Sequence, residues 1–337
     1  MSASFRVLGV GAGYFSQFHY ESWKRLEGVQ LTGICDLDRA RAEGIGGAPV
    51  FDDLTDALQQ ASPDLVDIIT PPATRLAVAT QVAEAGLPMI VQKPLADDLK
   101  GARAIADLAS ETGVTMLVHE NFRFQPWYRE ARRLLDQGLL GAPVAIRFHL
   151  RPGDGRGPDA YMARQPYFQQ MKRFLIHETG IHFIDTFRYL MGEVGEVFAD
   201  LRRLNPVIAG EDAGIVLFRF ASDARGTFDG NRLGEFEAGN PRLTMGEMVL
   251  EGTEARLRLS GDGGLWLKPN GQAERPHAYS WNDNGFGGDC VHAFQQHALA
   301  HFRDGADAET TVQDYLRNVE IEEAIYRSND AGRWIAI

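Results

Sequence analysis

Over the first 120 or so residues, short apolar runs alternate with longer stretches of helical spacing. Residues 5–10, 29–35, 65–69, 89–91 and 114–118 are compact apolar runs rich in β-formers, which predicts buried strands. Between them, residues 37–44, 54–60, 73–85 and 98–112 repeat apolar positions with the period of a helix, and Gly86 stands where a C-terminal cap belongs. The third run stops at Thr70, Pro71 and Pro72, because proline has no N–H for a strand ladder. Strand and helix in alternation predict an α/β domain on a doubly wound parallel sheet, spanning residues 1–122. Ligands of such sheets bind beyond the carboxyl ends of the strands, and Asp36, Thr70, Lys93 and Asn121 all fall there.

From Pro126 the pattern changes. Residues 126–137 predict a helix closed by Gly138, and 144–150 alternate like a strand with one exposed face. Residues 151–172, rich in glycine and proline, read as a long functional loop. A helix over about 178–191 follows, then strand-like runs at 197–204, 214–221, 224–229, 243–251 and 255–259 joined by tight turns. Helices near 288–302 and 311–329 end the chain. This predicts a second, α+β domain over residues 123–337, built on an open, mostly antiparallel sheet.

The first strand runs directly into Gly11, Ala12, Gly13, Tyr14, Phe15 and Ser16, a glycine turn opening a helix near Tyr14. The first glycine permits the sharp turn and the second lets backbone approach a pyrophosphate. The third position needs a small side chain, and Ser16 supplies one. The alternative register, starting at Gly9, would put Tyr14 at that crowded crossing and is rejected on size. Free N–H groups at the helix start hold phosphates. Asp36 closes the second run where a ribose-binding carboxylate belongs. A carboxylate accepts from a ribose 2′-hydroxyl and repels a 2′-phosphate, so NAD is expected over NADP, with Arg39 and Arg41 near enough to moderate that repulsion.

Composition narrows the partners. A chain of 337 residues with 44% hydrophobic content supports two globular cores. A formal net charge of −12, with no basic block, argues against nucleic acid or an anionic membrane as the main partner and favours a small molecule. The N-terminal stretch lacks the layout of a signal peptide, and no apolar run is long enough for a membrane span. Cys35 and Cys290 are too few for a disulfide framework, so a reducing cytoplasm is expected.

The segments GAGYFSQFH, ITPPATR, VQKPLA and HETGIHFIDTFRYLMG, in this order and spacing, resemble the glucose-fructose oxidoreductase, inositol dehydrogenase and rhizopine-catabolism family, called Gfo/Idh/MocA. The resemblance covers nearly the whole chain. It implies a Rossmann domain followed by an open-sheet α/β domain, and an enzyme that uses NAD or NADP on sugars, inositols and related polyols. It places Lys93 beside the nicotinamide and the substrate, where the family carries a Glu-Lys-Pro motif; here Gln92 replaces the glutamate. Thr70 and Pro71 resemble the segment lying along the cofactor, and Arg75 stands where many members have histidine. Glu178 and His182 match the family's acid and histidine pair, with glutamate for the more usual aspartate. Their i, i+4 spacing puts both on one face if a single helix carries them.

The expected site is therefore catalytic Lys93, His182 and Glu178, with Gly11, Gly13, Tyr14, Phe15, Asp36, Thr70, Pro71, Gln92 and Asn121 holding the cofactor. Besides Lys93, the donors and flat faces of Arg123, Arg151, Tyr161, Gln165 and Tyr167 are candidates for contacting a polyol, and Asp185 is expected to be a structural partner. No metal is expected: His177 and His182 are five positions apart, whereas a zinc helix needs histidines at i and i+4. The resulting expectation is an NAD-dependent dehydrogenase taking an aldose to a lactone or an inositol-type alcohol to a ketone. An NADPH-dependent reductase of a keto-sugar and a non-catalytic sugar or cofactor sensor remain open alternatives. By analogy with the family, a homodimer or homotetramer is expected.

Overall fold

The computed structural model describes residues 4–337; the first three, which open the stretch read as lacking a signal peptide, lie outside it. The chain divides into two compact units. One runs to Asn121 and also takes in Cys290–Val319; the other comprises Phe122–Asp289 and Glu320–Ile337.

In the first unit the order is β1 (Phe5–Val10), α1 (Ser16–Arg25), β2 (Val29–Cys35), α2 (Arg39–Ile45), β3 (Val50–Phe51), α3 (Leu54–Ala61), β4 (Leu65–Ile68), α4 (Pro72–Glu84), β5 (Met89–Gln92), α5 (Leu99–Thr112) and β6 (Met116–His119). The six strands form one parallel sheet in the order β3-β2-β1-β4-β5-β6. Val7, Leu8, Ile34, Val66, Ile68, Ile90 and Val91 are fully buried in it, as continuous apolar runs between helices must be. Asp38, Asp53 and Asp98 cap α2, α3 and α5 by accepting N–H bonds from Arg41, Asp56 and Gly101. The first helix starts at Ser16, two residues later than expected; ahead of it the Ser16 N–H and hydroxyl both donate to the Gly13 carbonyl in a tight turn.

The second unit holds α6 (Pro126–Asp136), β7 (Pro143–Leu150), α7 (Ile181–Met191), β8 (Val194–Arg202), β9 (Ala213–Phe220), β10 (Arg225–Asn231), β11 (Gly246–Gly252), β12 (Ala255–Leu259), β13 (Leu265–Pro269) and β14 (Arg275–His277). The chain then forms α8 (Cys290–Asp304), α9 (Val312–Ala331) and β15 (Ile335–Ala336). The nine-stranded sheet of this unit runs β14-β13-β12-β11-β7-β10-β9-β8-β15 and is antiparallel except for the β7–β10 pair. One face is apolar and packs beneath α7, where Phe183 meets Phe148 and Phe228, and Phe187 meets Phe218. The other face exposes Arg147, His149, Ile215 and Arg219 at alternate positions.

Two expectations need correction. A continuous second domain over 123–337 is not what forms, because α8 packs on α1 in the first unit. There Phe294 lies against the ring of His119, and the Gln295 side chain donates to the His19 carbonyl. The helix expected over 178–191 likewise opens as a π-turn, Leu175–Gly180, before α7 begins. Among the described residues no helix is long and apolar enough to cross a membrane.

Candidate active site

In the first unit the glycine turn shows why it needs glycine. Gly11 has φ +112°, and a Cβ on it would lie 2.9 Å from the backbone C and O of Ile69 at the end of β4. A Cβ on Gly13 would meet nothing within 4 Å, so its backbone is open to a close ligand. Gly9 leaves room beneath the turn for Tyr20, whose hydroxyl donates to the Gly11 carbonyl at 2.8 Å. Asp36 is locked in place: Oδ2 accepts the Ala12 N–H at 2.6 Å and Oδ1 accepts the Asp38 N–H at 2.8 Å. Thr70 Oγ1 is buried at the end of β4 without a hydrogen-bond partner. An open glycine cradle, an oriented carboxylate and an orphaned hydroxyl, all at the carboxyl ends of parallel strands, fit a dinucleotide. Tyr14 and Phe15 stand half-buried beside this turn, and Pro71 is exposed next to Thr70.

At the end of β5, Lys93 is half-buried, and both polar groups of its peptide backbone are held by side chains. Its N–H donates to Gln92 Oε1 at 2.7 Å, and its carbonyl accepts from Arg75 Nη2 at 3.4 Å. Arg75 Nε also donates to the Thr70 carbonyl at 2.9 Å, so one buried guanidinium ties the ends of β4 and β5 together. Gln92 turns inward to His19 instead of toward a cofactor, and Asn121 donates to the buried Cys290 thiol. Polar side chains buried this deeply are paired inside, as both amides are.

In the second unit His182 is buried and stacks flat on Phe122, with ring centroids 3.8 Å apart and planes 6° apart, so its ring plane is fixed. Glu178 sits on the π-turn, whose wider winding alters the i, i+4 phase expected of a single α-helix. Its Oε2 accepts from the Thr179 hydroxyl at 2.7 Å and lies 3.8 Å from Arg232 Nη1. Arg232 is fully buried: its guanidinium donates to both carboxylate oxygens of Asp154, to the Tyr161 hydroxyl and to Thr179 Oγ1. It also lies over the rings of Tyr161 and Phe174. Burial opposes the ionised form of Asp154, yet the Arg232 and Arg164 charges outweigh it and hold the carboxyl below its usual range. Burial likewise pushes the Tyr161 phenol up, keeping it a hydrogen-bonding hydroxyl.

The π-turn is anchored from behind. Glu211 Oε1 accepts the N–H groups of Phe174 and Ile176 and the hydroxyl of Tyr326, while burial raises its own pKa. His177 pairs with Glu322 at 2.7 Å.

The other expected substrate contacts divide. The Arg123 fork goes to Asp185 at 2.7 and 2.6 Å in a buried ion pair, which gives Asp185 the structural role expected of it and holds the Arg123 guanidinium in place. Arg151 is bound to Asp229 and to the carbonyls of Leu150 and Asp229. Tyr161 belongs to the Arg232 cluster. Gln165 donates to the hydroxyl of Tyr167, an exposed ring. Arg232, Asp154, Phe122, His19 and Asp67 escaped the sequence reading. His19 closes the GAGYFSQFH segment, which was read for its glycine turn alone, and the other four stand outside the quoted motifs, so only the fold brings each to its partners.

Residues 5–120 match the family model for an oxidoreductase family with an NAD-binding Rossmann fold, and residues 128–264 match the GFO/IDH/MocA C-terminal domain. The chain belongs to this Gfo/Idh/MocA family and is an NAD-dependent oxidoreductase. It is 30% identical to D-apiose dehydrogenase of Paraburkholderia graminis, over 97% of this chain and 88% of that protein. D-apiose dehydrogenase of Rhizobium rhizogenes is 29% identical, over 97% and 96%. Among solved structures, an oxidoreductase from Agrobacterium radiobacter in complex with NAD+, L-tartaric acid and magnesium is 28% identical, with a TM-score of 0.88 covering 99% of this chain and 98% of that one.

Proposed function

We propose that this chain oxidises a hydroxyl of an aldose or related polyol, with Lys93, His182 and Glu178 as the residues that serve the reaction. The observation that carries the reading is the match along nearly its whole length to two D-apiose dehydrogenases. A small aldose of that kind, oxidised at its anomeric carbon, gives a lactone.

Bound NAD would supply the acceptor for a hydride from the substrate carbon. Gly11 and Gly13 would admit its pyrophosphate, Asp36 would receive the ribose hydroxyls, and Thr70 would offer its unpaired hydroxyl. The Lys93 ammonium donates a hydrogen bond to the substrate oxygen and stabilises the charge that develops as its proton leaves. A ring nitrogen of His182 takes that proton, its plane held by Phe122. Glu178, kept beside Arg232, accepts from a neighbouring substrate hydroxyl and helps to orient the sugar. Gln165 and Tyr167 are the remaining candidates for outer contacts to it. The open face of the nine-stranded sheet is the surface through which we expect a homodimer or homotetramer to form, in the cytoplasm.

The test is thermal melting with NAD, NADP and a panel of aldoses, ketoses and inositols, followed by absorbance of reduced nicotinamide for each hit. Ligands that bind only the folded state raise the midpoint. A shift with NAD and its reduction by one sugar is expected; a larger shift with NADP, together with loss of NADPH absorbance when a keto-sugar is added, would overturn the direction proposed.

A further inference from the structure

The family motif places a glutamate before the lysine and, in many members, a histidine at the position of Arg75. In this chain the two departures, Gln92 and Arg75, meet at one residue, because they hold the N–H and the carbonyl of Lys93.

The hydrogen-bonding roles around Gln92 are fixed by elimination. The backbone N–H of Lys93 can only donate, so the side-chain atom facing it at 2.7 Å must be the amide oxygen. The amide nitrogen therefore faces His19 Nε2, also at 2.7 Å, and an amide nitrogen can only donate. His19 Nε2 must then carry a lone pair. The ring's other nitrogen, Nδ1, lies 2.8 Å from Asp67 Oδ2, where a proton on Nδ1 makes a bond and a second lone pair would repel. The same carboxylate oxygen accepts from the Trp23 indole at 2.7 Å. His19 and Asp67 are fully buried and Gln92 nearly so, which makes the pattern unexchangeable with water.

We propose that Asp67, His19 and Gln92 form a relay that, together with Arg75, positions Lys93, and that His19 stands in it as the neutral Nδ1–H tautomer. Asp67 sets the tautomer, His19 Nε2 sets the amide, and the amide oxygen fixes the Lys93 peptide from one side while Arg75 fixes it from the other. The inference deepens the role proposed for Lys93 and rests on it, but its first measurement does not.

That measurement is nitrogen NMR of the histidine rings in the whole protein with NAD bound. His19 is expected to show a protonated Nδ1 and a bare Nε2; a proton on Nε2, with or without one on Nδ1, overturns the relay. In Gln92→Glu the carboxylate can only accept, so His19 is expected to gain a second ring proton; an unchanged ring contradicts the coupling. For the link to Lys93, Gln92→Met is expected to lower kcat by roughly 10- to 100-fold through misplacement of the lysine, with KM for NAD moved less than about 3-fold. Gln92→Glu, which keeps both contacts once His19 is charged, is expected to restore most of that loss. Because Gln92 and Arg75 hold the same peptide, the losses in Gln92→Met and Arg75→Met are expected to combine less than additively. Full additivity, or a normal kcat in Gln92→Met, overturns the positioning role. A normal kcat in Lys93→Ala would instead defeat the proposed function and leave the NMR result standing.

Discussion

Lys93, His182 and Asp36 could all be singled out from the sequence because each sits in a motif, and each gives a direct test. Lys93→Ala and His182→Ala should lower kcat by roughly 10²- to 10⁴-fold, the range for a positioned acid or base, while NAD affinity measured by calorimetry stays within a few-fold. Asp36→Ala should narrow the preference for NAD over NADP, since it removes the carboxylate that repels a 2′-phosphate; an unchanged ratio would deny it that role. Arg232 had no motif around it, yet it organises Asp154, Tyr161 and Thr179 beside Glu178. Replacing it with methionine leaves a largely buried Asp154 without its main partner and should cost about 3 kcal/mol, read from denaturant unfolding. Asp154 also gives a pH signature. Its folded pKa lies below the unfolded value of about 3.9, so its stabilisation is present above that value and is lost as pH falls through the folded one. Asp154→Asn should lose less stability than the parent across that acid window.

Glycines and apolar runs made the parallel sheet legible, because strands buried on both faces leave continuous apolar segments and each turn needs its own residue. Gly11→Ala, at φ +112° and with a Cβ 2.9 Å from the Ile69 carbonyl, should abolish the NAD-induced rise in melting temperature. A full rise in that variant would remove the turn from the cofactor site. The π-turn at Leu175–Gly180 was not legible: nearly every residue from Ile181 to Met191 is buried, so there is no one-sided apolar stripe whose phase an extra residue would visibly shift, and the Glu211 carboxylate that accepts N–H groups near the start of the turn lies far along the chain. The edge strand β14 was missed for a different reason, since its three largely exposed residues, Arg275, Pro276 and His277, carry no apolar alternation.

The order of motifs was enough to assign the family and the α/β class to the whole chain, because four loose patterns at set distances are jointly specific. The division into units was less legible. A helix near the C-terminus has the same amphipathic spacing whichever core it serves, and α8 serves the first. The expectation of a homo-oligomer is checked by sedimentation of the purified chain, where a dimer or tetramer is predicted. The central claim, that this chain oxidises a sugar hydroxyl with NAD through Lys93 and His182, is tested most directly by following reduced-nicotinamide absorbance in the parent, Lys93→Ala and His182→Ala proteins across aldoses, ketoses and inositols. The account predicts reduction with at least one sugar in the parent and its near loss in both variants, with NAD still bound. Unchanged turnover in both variants, or NAD binding without reduction by any sugar, would contradict it.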